Sequence, residues 1–161
     1  MTQISRIYVK ELPELFFLSY RRTIDFFAEY SSLIGETLPK IDEALKKENL
    51  APSSGLVTCF HNIDLAQLDV EVGMVIPHQV ETKKPLNCTV FPAGLVATTI
   101  DLGEYEKQDP TMMALTEWIS KNGYQANGGI YYHYLNDEKQ SPENYLTQML
   151  IPIVKATDSF N

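Results

Sequence analysis

One order of segments, a strand, a helix and two further strands, occurs twice along this chain of 161 residues. Strands are indicated by runs of aromatic and β-branched residues, and helices by apolar residues three and four positions apart. In the first half these segments are residues 11–24, 32–48, 55–62 and 70–77. In the second half they are residues 89–103, 110–122, 128–137 and 145–154. The repeated order predicts an α+β fold built by internal duplication.

The two predicted units can pack as one curved antiparallel sheet with both helices on one face. The length suits a single domain, residues 1–161, with the internal repeat at about 4–80 and 86–156. Two units related by a two-fold axis leave a groove at their join, and ligand pockets favour such junctions. We therefore expect a central ligand groove.

The first helix is predicted from an apolar stripe formed by Ile34, Leu38, Ile41 and Leu45. Proline disrupts the interior of a helix, so Pro39 has to lie in or near the first turn. The helix should therefore begin between Ser32 and Thr37 and end at Glu48.

The second helix carries clearer boundary signals. Asp109 can cap it, Pro110 suits its first turn, and Gly123 suits its stop. Its predicted buried stripe consists of Met112, Leu115 and Ile119, with Trp118 beside it.

Composition excludes several classes of function. The net charge is −8, whereas phosphate binding needs clustered Lys and Arg, so we expect no direct binding to nucleic acid. No apolar run reaches the length of a membrane span, and the first residues lack the layout of a signal peptide. Cys59 and Cys88 lie far apart and form no CxxC motif. These features predict a cytoplasmic protein with two reduced thiols and no membrane association.

The most informative segment is GGIYYHYLND, residues 128–137. Tyr132 and Tyr134 are two positions apart, so in a strand they share a face. Core packing and the wall of a ligand groove would both explain the pair. We favour the groove, because a buried phenol needs a hydrogen-bond partner. His133 points the other way and is predicted to be a surface or hydrogen-bonded histidine.

Other candidate residues have two readings. Trp118 is either packed on the sheet or in contact with a ligand. If Val72 packs under the helix, Glu71 faces outward or toward the groove, and the sequence does not decide between these. Met149 is predicted mainly as core, although methionine also suits pockets that accept varied ligands. His61 and His78 lack companions at metal-ligand spacing, so neither a metal nor a cofactor is predicted.

Five stretches together resemble the gyrase-inhibitor-like family, whose members include the effector-binding domains of some AraC-type and MerR-type multidrug regulators. These stretches are FHNIDLAQLDVEVGMVIP (60–77), VFPAGLVATTIDLGEYE (90–106), LTEWISKNGY (115–124), YHYLND (132–137) and LTQMLIPI (146–153). The resemblance implies the duplicated fold with a central groove. It also implies flat, apolar, cationic ligands in that groove, and in some members hydrolysis of cyclopropane-containing toxins.

One position departs from the family pattern. The family commonly has Glu-x-Tyr in the strand after the second helix, and this chain has Tyr132 where the glutamate would stand. Tyr134 matches the family tyrosine. The glutamate faces the cation, or assists water in the hydrolytic members, so its replacement argues against catalysis. Tyrosine faces attract cations by about 0.5–2 kcal/mol, which offers a partial substitute.

The sequence thus predicts a stand-alone module that binds hydrophobic, planar or cationic small molecules, to sequester or to sense them, and assigns no catalytic residue. The predicted ligand-binding residues are Tyr132, Tyr134, Trp118, Phe60, Glu71, Phe17, Tyr20 and Met149. Two alternatives stay open: a hydrolase of reactive electrophiles, and a protein-protein inhibitor of gyrase or another partner. Formation of a homodimer through an edge strand and association with a partner regulator are also left undecided.

Overall fold

A computed structural model describes residues 2–91, 93–136 and 139–156. Over these residues the chain forms nine strands, two α-helices and two short 3₁₀ helices, which is the predicted α+β class. The helices are α1 (Phe26–Lys47) and α2 (Asp109–Lys121). The strands are β1 (Tyr8–Leu12), β2 (Leu15–Ile24), β3 (Val57–Phe60), β4 (Leu68–Ile76), β5 (Asn87–Phe91), β6 (Gly94–Leu102), β7 (Tyr124–Ala126), β8 (Ile130–Tyr134) and β9 (Leu146–Lys155). Pro92 and Asp137 of the motifs above lie outside the described residues.

The chain divides into two compact units. The α1 unit is Pro13–Ala93, and the α2 unit is Met1–Leu12 together with Gly94–Asn161. The antiparallel strands of the α1 unit run in the order β3-β4-β2-β5, and those of the α2 unit in the order β1-β6-β9-β8, with β7 against β9. In the α1 unit β4 therefore lies between β2, which precedes the helix, and β3, which follows it. In the α2 unit β9 lies between β6, which precedes the helix, and β8, which comes after it. The predicted internal duplication stays a prediction, with which this shared order agrees.

An asparagine makes the same contacts in both units. Asn62 follows β3, accepts a hydrogen bond from the Asp69 amide at 3.0 Å and donates to the Gln67 carbonyl at 3.1 Å. Asn136 follows β8, accepts from the Leu146 amide at 2.9 Å and donates to the Asn144 carbonyl at 2.9 Å. Each side chain thus joins the end of one strand to the start of the next.

The predicted start of α1, between Ser32 and Thr37, is wrong, because the helix begins at Phe26. Asp25 caps it by accepting a hydrogen bond from the Ala28 amide at 3.0 Å. Glu29 reaches back and accepts from the Asp25 amide at 3.1 Å, which completes a capping box. Pro39 consequently lies inside the helix. Pro39 is exposed, as is Gly35 four positions earlier, so water can reach the Gly35 carbonyl, which receives no hydrogen bond from the proline nitrogen.

The boundaries of α2 are close to the prediction. The N-cap is Gln108, without a side-chain cap bond, so Asp109 is the first helical residue and not the cap. Gly123 has φ +83°, in the left-handed region that ends helices. The buried residues are Thr111, Leu115 and Ile119, and Met112 is half-buried against the same core.

The strand predicted over residues 89–103 is two strands. β5 pairs with β2 in the α1 unit, whereas β6 pairs with β1 and β9 in the α2 unit. The boundary between the two compact units falls between them. The sequence did not predict this boundary, because both strands carry apolar residues in a continuous pattern.

Each helix covers one face of its own unit. Leu33 of α1 packs with Leu68, Val70 and Val72 of β4 in one cluster, and Ile41 and Leu45 continue the contact in a second. In the α2 unit the buried cluster consists of Ala97, Leu115, Ile119, Met149, Ile151 and Ile153. Among the described residues no helix is both long and apolar enough to cross a membrane.

Candidate ligand-binding site

Strand β8 presents Tyr132 and Tyr134, two of its three tyrosines, to the side of the sheet that α2 covers. Tyr132 lies opposite Met149, and Tyr134 lies opposite Thr147. Met149 and Thr147 are fully buried, and Met149 belongs to the α2 core cluster. Because cross-strand neighbours share a face, Tyr132 and Tyr134 lie on this same side, and Tyr132 packs against the α2 cluster.

Tyr134 belongs to a group of three rings that we call the tyrosine cluster, Tyr105, Tyr134 and Tyr145. The centroid of Tyr105 lies 5.1 Å from that of Tyr134, at an interplanar angle of 61°. Tyr105 also stacks on Tyr145, with 4.7 Å between centroids and an angle of 17°. Tyr105 is 36% exposed, and the other two are half-buried. The cluster therefore offers aromatic surface to solvent.

Two members of the tyrosine cluster were not predicted. Tyr105 begins the 3₁₀ helix Tyr105–Lys107, and Tyr145 directly follows the 3₁₀ helix Pro142–Asn144. Short turns of this type have no regular spacing of apolar residues, so the sequence pattern does not predict them. The only available signals were Tyr105 in the motif DLGEYE and the turn residue Pro142 just before Tyr145.

The remaining predicted residues of the α2 unit are Trp118 and Met149. Trp118 stacks on Tyr124, with 6.3 Å between centroids and an angle of 11°, and packs beside the α2 core cluster. Met149 is 0% exposed and forms part of that core. The core reading of Met149 thus describes its position, and a binding role for either residue stays a prediction.

In the α1 unit the predicted aromatic residues pack as core. Phe60 lies 6.4 Å from Phe26 and 6.0 Å from Tyr30, measured between ring centroids. Tyr20 packs against the buried clusters under α1. Phe17 is buried on the opposite face of β2, edge-on to Phe91 at 6.2 Å. The structure therefore divides these residues between two faces of the unit and does not gather them on one surface.

Glu71 lies on the strand face opposite α1, because its neighbours Val70 and Val72 pack under that helix. The residue is only 7% exposed. Its Oε2 accepts a hydrogen bond from Ser19 Oγ at 2.5 Å, and its Oε1 lies 2.9 Å from His61 Nε2. The sequence left the direction of Glu71 open, since one of its two partners, Ser19, lies 52 residues earlier in the chain.

A second buried carboxylate lies in the α2 unit. Asp101 is 0% exposed, and its Oδ1 accepts hydrogen bonds from Thr2 Oγ1 at 2.5 Å and Thr111 Oγ1 at 2.6 Å. Its Oδ2 has no hydrogen-bond partner among the described residues. Nearby in register, Thr147 accepts from Gln108 Nε2 at 2.8 Å. The first turn of α2 thus covers a buried polar network.

The described residues contain no group of three or more His, Cys, Asp and Glu side chains arranged to hold a metal ion. In the α1 unit Cys59 Sγ lies 3.9 Å from His61 Nδ1, at the distance of a weak hydrogen bond between a thiol and an imidazole.

His133, on the face of β8 opposite Tyr132 and Tyr134, gives a pH prediction. Burial lowers the pKa of its imidazole, and a hydrogen-bond contact with Gln148 at 3.3 Å offsets this only in part. The unfolded chain therefore binds this proton more readily than the folded chain. The free energy of unfolding should decrease as the pH falls from about 7.5 to 5, through the ordinary histidine range.

Chemical denaturation at several pH values would measure this slope for the unchanged protein and for His133→Asn. The variant should show a shallower loss of stability on acidification. His78→Asn is the matched control, because the His78 side chain is exposed. Equal slopes for the unchanged protein and His133→Asn would contradict the prediction.

The sequence matches the family described as the GyrI-like small molecule binding domain over residues 6–154. This chain belongs to that family. Among proteins of curated function, none shows significant similarity to it. The GyrI-like match accounts for nearly the whole chain, including both compact units.

Solved structures share the GyrI-like fold. One is the EcmrR chain in a cryo-EM complex with DNA, to which this chain is 23% identical with a TM-score of 0.79. The match covers 93% of this chain and 57% of the EcmrR chain. The EcmrR C-terminal domain is 21% identical with a TM-score of 0.76, over 93% and 98% of the two chains. This chain thus spans little more than half of the EcmrR chain. At these identities the likeness concerns the fold.

Two further solved structures are less similar to this chain. A hydrolase from Listeria innocua, encoded by lin2189, is 15% identical with a TM-score of 0.69, over 94% of this chain and 93% of that one. SAV2435, solved bound to tetraphenylphosphonium, is 12% identical with a TM-score of 0.61, over 93% and 94%. They again show a common fold.

Proposed function

We propose that this protein binds hydrophobic, planar small molecules, organic cations among them, to sequester or to sense them. The observation that carries the proposal is the tyrosine cluster of the α2 unit. Its three rings come from two turns and a strand, and they retain exposed aromatic surface. Family membership supports small-molecule binding in general, and the cluster supports the planar class.

Aromatic rings favour planar and cationic ligands for two reasons. Offset and edge-on ring pairs contribute about 0.5–1.5 kcal/mol beyond the area that they bury. A cation over a tyrosine face gains about 0.5–2 kcal/mol, the upper value applying when water is excluded. The cluster offers both, and the tetraphenylphosphonium bound by SAV2435 is a compound with aromatic rings and a positive charge. Hydrolysis and inhibition of gyrase stay predictions from the resemblance alone.

Titration with ethidium, a planar aromatic cation, tests the proposal. Tyr134→Ala should raise the Kd for ethidium about 10-fold, since it removes one ring of the cluster and its cation contact. Dye fluorescence measures the affinity, and circular dichroism checks the fold. A planar anion such as fluorescein should bind more weakly than ethidium to the unchanged protein.

Tyr8→Ala is the matched control, because Tyr8 is an exposed tyrosine of the same unit and lies in β1. It should leave the Kd unchanged. An unaltered ethidium affinity in a folded Tyr134→Ala variant would refute the assignment of the tyrosine cluster as the binding surface.

A further inference from the structure

Asparagine is followed by glycine at two places in the chain, Asn122-Gly123 and Asn127-Gly128. The pair is chemically reactive, because glycine has no Cβ to shield its backbone nitrogen from the preceding side chain. That nitrogen can attack the carbonyl carbon of the asparagine side chain and close a five-membered ring. How fast a given pair reacts depends on how firmly the fold holds the two reacting groups.

The fold holds both reacting groups of Asn122-Gly123, at the end of α2. Asn122 Nδ2 donates a hydrogen bond to the Trp118 carbonyl at 2.8 Å. The Gly123 amide donates to the Ser120 carbonyl at 3.5 Å, and the Gly123 carbonyl accepts from the Ala156 amide at 2.8 Å. Ring closure therefore requires the Asn122 side chain and the Gly123 amide to leave their partners first.

Asn127 and Gly128 lie where the pairing with β9 is interrupted. The pairs on either side of the interruption are Ala126 with Ile153 and Tyr131 with Leu150. Between these pairs the four residues 127–130 stand opposite the two residues 151–152, which is a β-bulge. Pro152 has no amide hydrogen to donate across the gap. The regular ladder of hydrogen bonds therefore does not continue through this segment.

The two reacting groups of Asn127-Gly128 are held less firmly. Both residues are exposed. The backbone amide of Asn127 donates to the Pro152 carbonyl at 2.7 Å. Among the described residues, however, neither the Asn127 side chain nor the Gly128 amide makes a hydrogen bond. Gly128 also has φ +150°, which side-chain-bearing residues rarely adopt, and a second glycine follows it. The side chain and the attacking amide can therefore approach each other without breaking a contact.

We propose that Asn127 is a site of spontaneous deamidation, from which the fold protects Asn122. Base removes the proton of the Gly128 amide, and the nitrogen attacks Asn127 Cγ. The new N–Cγ bond forms, the Cγ–Nδ2 bond breaks, and Nδ2 leaves as ammonia after taking protons from water. Water then opens the cyclic imide at one of its two carbonyls, which gives aspartate or isoaspartate. The net change is hydrolysis of one amide, without oxidation or reduction.

The modification changes the chain at the bulge that precedes β8. Each product carries one more negative charge than asparagine, and the exposure of Asn127 leaves that charge in contact with water. Isoaspartate also adds one carbon atom to the backbone, within a segment that already has residues in excess. This chemistry is independent of ligand binding by the tyrosine cluster and goes beyond the proposed function.

Incubation of the folded protein at mildly alkaline pH, in water labelled with heavy oxygen, tests the proposal. Hydrolysis of each imide introduces one labelled oxygen atom, and peptide mapping by mass spectrometry locates it. Asn127 should be converted about 10-fold or more faster than Asn122, because two hydrogen bonds have to break before Asn122-Gly123 can react. Asn127→Gln should remove the fast conversion, since glutamine would have to close a six-membered ring.

The same protein unfolded in urea is the matched control, because it keeps the sequence and loses the contacts. Asn122 and Asn127 should then be converted at similar rates. Three results would each overturn the proposal: conversion of Asn122 as fast as that of Asn127 in the folded protein, an Asn127 that stays unlabelled when folded while the unfolded chain reacts, or a rate difference that persists in urea. The last result would assign the difference to neighbouring sequence and not to the fold.

Discussion

Replacing Gly73 with alanine should lower the free energy of unfolding by at least about 3 kcal/mol, the upper end of the usual cost of overpacking. Gly73 lies in β4, between Val57 of β3 and Ser19 of β2. A Cβ atom built there would collide with the carbonyl oxygen of Leu18 and lie 2.7 Å from Ser19 Cβ. Because one colliding atom belongs to the backbone, relief requires the strands to move apart.

Thermal unfolding followed by circular dichroism would measure this effect. For a chain of this size a loss of 3 kcal/mol corresponds to a decrease in Tm of about 6–12 °C. Gly35→Ala is a control of opposite sign. Gly35 lies in α1, and a Cβ there meets nothing within 4 Å, so alanine should stabilise the helix by about 0.5–1 kcal/mol. A Tm for Gly73→Ala equal to that of the unchanged protein would show that β2 and β4 pack less closely than described.

Met149→Ala is expected to destabilise the protein by about 2–5 kcal/mol, because it leaves a cavity in a closely packed core. Met149 is 0% exposed and packs with Leu115 of α2 and with Ile151 in one buried cluster. A residue whose main role is to contact a ligand at the surface would cost far less to truncate. The measurement therefore distinguishes the two readings that the sequence left for this methionine.

Met113→Ala provides the comparison. Met113 lies on α2 but is 70% exposed, so the same substitution should change stability by less than about 0.5 kcal/mol. Urea denaturation of both variants would give the two values. Similar values for Met149→Ala and Met113→Ala would contradict the core position of Met149.

Local patterns predicted the order of elements well, because apolar residues two or about 3.6 positions apart record which face of an element is buried. They placed the end of α2 at Gly123 and the shared face of Tyr132 and Tyr134. They misplaced the start of α1, since proline was taken to exclude a helix interior. The capping pair Asp25 and Glu29 outweighs that rule.

The candidate sites were harder to predict, because their members come together only in the folded chain. Alternation along β4 placed Glu71 and Val72 on opposite faces of the strand. It gave no information on Ser19, which lies 52 residues earlier in the chain. Tyr105 and Tyr145 come from turns without periodicity. The strand pattern also gave no reason to separate β5 from β6, because the boundary between the units depends on pairing partners distant in sequence.

The asparagines after β3 and β8 have a consequence for how relatives can diverge. Asn62 and its partner Asp69 are seven residues apart, whereas Asn136 and its partner Leu146 are ten residues apart, yet both pairs make the same amide contact. Because the asparagine side chain holds the ends of the two strands together, the segment between them can be lengthened, shortened or exchanged while the strands keep their alignment. The sequences of these two segments can therefore change during evolution, and can acquire side chains that recognise a different ligand, with little loss of stability in the sheet.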